Sequence, residues 1–120
     1  MFKAFIKQFN FQENIDIFQN TCYNKGGEII LPIISQFYGI IISMHFREND
    51  RHKLPHIHTE YGEFDAVFDL EGNMLGGKMP NKQMRMIQAW ILIHQEELKA
   101  LWKIVENKMG DSWFKIEPLK

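Results

Sequence analysis

A single cysteine, Cys22, leaves this chain no intrachain disulfide and no cysteine-built zinc knuckle. It reads as a small inert side chain, because a reactive thiol needs an exposed, electropositive setting. No apolar run approaches the roughly 20 residues of a membrane span. At the N-terminus, Lys3, Lys7 and Gln8 interrupt the chain before a signal-peptide core can form. The expected setting is therefore the cytoplasm, with no membrane partner. Charge of one sign is also missing: 14 Lys and Arg stand against 15 Asp and Glu, a net charge of −1. Without a global field, nucleic acid or an anionic membrane would have to be held by a local basic patch. The sequence has no repeat and no low-complexity tract. Nor does it carry a phosphate-cradling glycine loop, a nucleotide fingerprint or a serine-nucleophile elbow. Gly26-Gly27 and Gly76-Gly77 are accordingly read as turn glycines.

What is present is apolar volume. Ten Phe, seven Met and three Trp in 120 residues can fill the core of one domain. The 45% hydrophobic and 24% charged fractions place the chain with globular rather than disordered proteins. Phe2, Phe5, Ile6 and Phe9 recur at the spacing of one helical face, and Asn24-Lys25-Gly26-Gly27 is a breaker. Residues 1–30 are thus expected to form an N-terminal helical arm and linker. Residues 31–120 are expected to form a single α+β domain, a small antiparallel sheet of three to four strands packed on one long C-terminal helix.

The strands are read from period-two alternation. Ile40, Ile42, Met44 and Phe46 alternate with Ile41, Ser43 and His45, giving a strand over 39–46. Strands over 56–61 and 64–70 follow, joined by Gly62-Glu63 as a two-residue turn with glycine first. A short strand is expected near Met74-Leu75-Gly76. The helix begins around Asn81, the N-cap candidate, and Gly110 is placed to end it. Met84, Ile87, Ile91, His94, Leu98, Leu101 and Val105 form its apolar stripe, flanked by Trp90 and Trp102. Further apolar residues, Ile93 among them, widen it to about half the circumference, more than one sheet usually covers. The N-terminal arm, the tail around Trp113-Phe114-Lys115-Ile116 or a second subunit must cover the rest. A homodimer or a small protein partner is therefore expected.

The two-residue turn dictates a register. Tyr61 faces Phe64, Thr59 faces Ala66 and Ile57 faces Phe68, the expected core face. The opposite face then pairs His56 with Asp69, His58 with Val67 and Glu60 with Asp65. His56 and His58, two residues apart, project together. Such a pair could chelate a divalent metal such as zinc, with Glu60 or His52 as further ligand. Alternatively His56 and His58, with Asp69 orienting an imidazole, could act as a general acid–base site. Ordinary surface decoration is the third reading. His45 shares its face with Ser43 and could neighbour the patch, with surface as its expected place, while His94 reads as a hydrogen-bonded core histidine. Arg47, Arg51 and Lys53 around the loop, with Lys82 and Arg85 at the helix start, form an anion or nucleic-acid surface only where the two segments meet.

From Leu31 onward the chain resembles the family of domain of unknown function 4160. The resemblance is carried by Pro32-Ile33-Ile34-Ser35, Phe37-Tyr38-Gly39-Ile40 and His52-Lys53-Leu54-Pro55-His56-Ile57-His58. It continues through Leu75-Gly76-Gly77-Lys78-Met79-Pro80, Trp90 with His94, Glu97 and Leu98, and Lys115-Ile116-Glu117-Pro118-Leu119. Family members typically carry two consecutive prolines before a histidine–phenylalanine–histidine run; here Leu54 and Ile57 replace the first proline and the aromatic. The resemblance implies a small bacterial cytosolic domain, often encoded beside another small protein in an arrangement similar to toxin–antitoxin pairs. A topological likeness to small RNA-binding toxins adds RNA as a partner to consider. Three functions follow as expectations: a protein-binding or regulatory component of such a pair, a metal-dependent hydrolase or ribonuclease, or a non-catalytic metal-binding domain.

Overall fold

The computed structural model describes residues 23–25, 28–47, 54–107, 109 and 112–120. They form an α+β fold in which one antiparallel sheet carries two helices. The strands are β1 (Tyr23–Lys25), β2 (Glu28–Phe37), β3 (Ile40–Arg47), β4 (His56–Tyr61), β5 (Phe64–Asp69) and β6 (Met74–Gly77). Their order in the sheet is their order in the chain, a meander without crossovers. The helices are α1 (Asn81–Ile93) and α2 (Gln95–Glu106).

Six strands replace the expected three to four, because β1 and β2 were not legible as strands. Pro32 is the reason for β2: a proline cannot donate to a ladder. In the fold it falls within a register shift between Leu31 and Ser35, where the pairing with β3 is already interrupted. The division expected after residue 30 lies inside β2. The helical arm expected over residues 2–9 lies outside the described residues. Tyr38 and Gly39, with φ of 48° and 81°, join β2 to β3. Two positive φ values in a two-residue loop are the mark of a type I′ turn.

The alternation of β3, β4 and β5 sorts the side chains. Ile40, Ile42, Met44, Ile57 and Phe68 are fully buried on one face, with Phe46 and Ala66 nearly so. Thr59 shares that face and satisfies its hydroxyl by donating to the Ala66 carbonyl at 2.8 Å. Against it pack Ile87, Trp90 and Ile91 of α1 and Leu98, Leu101, Trp102 and Val105 of α2. At 100° per residue these seven stay on one side of the axis.

The single long helix expected here is two helices, broken at His94 (φ −114°, ψ 28°). The break is slight in phase, since the buried stripe continues through it. The His94 N–H still donates to the Trp90 carbonyl, and the Leu98 N–H to the His94 carbonyl. At the start, Pro80 occupies the N-cap position and Asn81 is the first helical residue, so Asn81 is not the cap. α2 ends at Glu106, before Gly110, which lies outside the described residues.

The tail covers part of the wide stripe, as one of the three expected alternatives. The Ile116 N–H donates to the Ile34 carbonyl at 2.8 Å, and the Ile116 side chain is buried. Trp90 Nε1 donates to the Glu117 carbonyl at 2.8 Å, and Trp113 and Leu119 pack at the core margin.

Candidate functional site

The β4–β5 hairpin realises the expected register at every position, from Tyr61 opposite Phe64 to His56 opposite Asp69. Gly62 has a positive φ and Glu63 does not, the type II′ pattern. His56 and His58 therefore project from the other face of the sheet, which among the described residues is the open one. β3 adds to them, because Ser43 lies opposite His58 and His45 is two residues beyond it.

The result is a row of rings. His45 and His58 stack with centroids 3.8 Å apart and planes 21° from parallel. His58 and His56 follow at 5.3 Å, and His56 reaches Trp102 of α2 at 5.2 Å. Trp102 in turn meets Phe46 edge-on at 5.5 Å. All three histidines are half-buried. A groove of about 240 Å³ opens beside the row, bordered by His45, His58, Glu60, Asp65 and Val67.

His56 is oriented by backbone rather than by a carboxylate. Its Nδ1 lies 2.7 Å from the Leu54 carbonyl oxygen. A carbonyl can only accept, so this bond places a proton on Nδ1, and in the neutral ring the lone pair is then on Nε2. Leu54 precedes Pro55, which holds it extended and steadies that carbonyl.

The expected support from Asp69 takes another form. Asp69 is opposite His56 in the ladder, but its carboxylate turns into the β5–β6 connection. One oxygen accepts from the Glu71 and Asn73 backbone N–H groups at 2.9 and 2.8 Å; the other accepts from the Asn73 side-chain amide at 3.0 Å. Partial desolvation pushes this carboxyl upward. Hydrogen bonds from the Asn73 side chain and from the Asn73, Glu71 and Gly72 backbone more than offset that, and the net pKa is lowered. Asp69 is a turn-capping group.

Among the described residues, no group of three or more His, Cys, Asp or Glu side chains is placed to hold a metal ion. His45 and His58 are stacked nearly parallel, and nitrogen lone pairs lie in the ring plane, so that pair does not aim both at one ion about 2.0–2.1 Å from each; the expected pair, His56 and His58, is tilted by 59°. Glu60 is exposed toward the turn end of the hairpin, opposite Asp65. His52, Arg51 and Lys53 lie outside the described residues. Arg47 closes β3, and Lys82 and Arg85 are exposed on α1.

His94 is the mostly buried, bonded histidine that was expected. Its Nδ1 lies 2.6 Å from Glu97 Oε1 and its ring 5.4 Å from Trp90. One participant in the ring row, Trp102, was not legible, and the place of His45 in it was only half so. Trp102 comes from a helix distant in sequence and carries no local signal. His45 joins through the β3–β4 register, which the long connection between those strands hides.

Residues 39–103, just over half of the chain, match the family described as Domain of unknown function (DUF4160). The chain belongs to the DUF4160 family. The DUF4160 match contains β3 to β6, the ring row, α1 and most of α2. Comparison with curated proteins and with solved structures gives no match. Among the described residues, no helix is long and apolar enough to cross a membrane.

Proposed function

We propose that this DUF4160 chain is a protein-binding module, the regulatory component of a pair of the toxin–antitoxin kind. The observation that carries this reading is the outer side of α1. Leu92 and Ile93, 60% and 64% exposed, are the two most exposed of the large hydrophobic residues described. They are adjacent, and both belong to the last turn of α1. Scattered exposed leucines need no explanation, whereas contiguous apolar surface marks a contact site. Fully covering a Leu or Ile side chain is worth roughly 1.5–3 kcal/mol, so even partial cover of both favours docking.

The test is a Leu92→Glu/Ile93→Glu variant, with molar mass measured by light scattering for the chain alone and co-expressed with the product of its adjacent gene. The expected outcome is loss of a higher-mass species with an unchanged circular dichroism spectrum. A wild-type chain that runs as a single copy in both preparations ends the reading.

A second reading is favoured by the His56 geometry. An imidazole whose Nδ1–H is held by a carbonyl presents Nε2 as a general base, with the ring of His58 beside it as the acid. This supports a metal-independent acid–base site on the open face, with RNA as the substrate to test first.

A further inference from the structure

The outer face of α1 has an order of residues that suits a copy of itself. We infer that the protein docking there is a second copy of this chain, laid antiparallel on α1; this rests on reading that face as a contact surface.

Lys82, Arg85, Ala89, Leu92, Ile93 and Glu96 are all exposed. At 3.6 residues per turn they fall within an arc of about 100°. Glu96 belongs to α2, yet it stays on this arc because the buried stripe passes the His94 break in phase. Its side chain is 91% exposed, and its contact with Lys99 is a loose 3.9 Å.

Along the axis the order is basic, small, apolar, acidic. Reversing one copy over another brings Lys82 and Arg85 against Glu96 of the second copy at both ends. Within one chain Lys82 and Glu96 stand about 20 Å apart at 1.5 Å per residue, so these charges can meet only between copies. Ala89 sits at the middle, where a small side chain lets two helix axes approach to about 8 Å. Leu92 and Ile93 then close over the crossing from each side. A partner of unrelated sequence would have to match this order; a second copy matches it by symmetry, as two-fold interfaces require.

The area is modest. One helix of 13 residues falls short of the roughly 800 Å² per partner of a standard interface. The dimer should therefore be concentration-dependent and weakened by salt, which screens exposed pairs.

The experiment is sedimentation velocity on the full chain over a range of concentrations, for wild type, Lys82→Glu/Arg85→Glu, Glu96→Arg and an equimolar mixture of the two variants. Wild type is expected to dimerise on concentration. Each variant alone should dimerise at least tenfold more weakly, and the mixture should regain the dimer, because every charge contact is again opposite in sign. A dimer indifferent to the swaps, or a mixture that stays dissociated, overturns the proposal. So does a wild type that is monomeric throughout. In that case Leu92→Glu/Ile93→Glu decides the rest: loss of the adjacent gene product in co-expression keeps the protein-binding reading with another occupant, and no effect removes both.

Discussion

The two hairpins that share β5 are built on different principles. The β4–β5 hairpin is regular, with six consecutive partners and a two-residue turn. The β5–β6 hairpin shifts register between Val67 and Phe68 and is held by particular groups: the Asp69 carboxylate in its turn and Gly77 at its end. In the first, the core face holds the strands together and leaves the open face available for His56 and His58. In the second, each special residue is itself structural, and little is left over for chemistry.

Substituting the special positions should separate the two. The largest effect is expected at Gly77, whose φ is +88° and where an added Cβ would lie 2.3 Å from the Asp65 carbonyl oxygen and 2.7 Å from the Ala66 Cα. Gly77→Ala should cost about 3 kcal/mol, read as a fall in the urea midpoint. Asp69→Ala should cost about 1 kcal/mol by stripping the β5–β6 turn of its acceptor.

Asp69 also gives that hairpin a pH dependence. Its folded pKa lies below the ordinary 3.8, so its contribution is complete above that value and is lost as pH falls through the folded one. Wild type should therefore lose more stability than Asp69→Asn between pH 5 and about pH 2, measured by denaturant midpoints.

Gly62→Ala probes the regular hairpin in the same way. Its φ is also positive, at 58°, but nothing lies within 4 Å of the added Cβ. The expected cost is about 1 kcal/mol, the intrinsic penalty of a left-handed alanine. Equal losses at Gly62 and Gly77 would erase the distinction between the hairpins. His56→Ala/His58→Ala should cost about 1–2 kcal/mol, since both half-buried rings give up their ring contacts. The same variant should lose on the order of 10²–10⁴ in rate in an RNA-cleavage assay under the acid–base reading. An unchanged rate would leave the ring row as surface.

Legibility in the sequence follows the same division. Regular alternation from Ile40 to Phe68, with Gly62-Glu63 between two strands, was enough to place every residue of the β4–β5 pairing. Local exceptions hid the rest. Pro32 concealed β2, because a bulge that absorbs a proline leaves no mark on periodicity. The helix break at His94 was invisible because the apolar stripe runs through it in phase. At the site, the pairing of His56 with Asp69 was readable, but the direction of the Asp69 carboxylate was not. That direction is set by the competing N–H groups of the next turn, and carbonyl orientation at Leu54 is likewise a property of the folded loop.

The unbroken meander also bears on how this chain reaches its fold. Every strand pairs with its neighbour in sequence, so assembling the sheet closes only local loops, and loop-closure entropy rises with the length enclosed. Domains rich in local contacts fold fast. The bond from Ile116 to Ile34 is the opposite case, since it encloses most of the chain. The hairpins should therefore be present in the rate-limiting step and the tail docked after it. Substitutions at Ile116 should speed unfolding and leave the folding rate nearly unchanged.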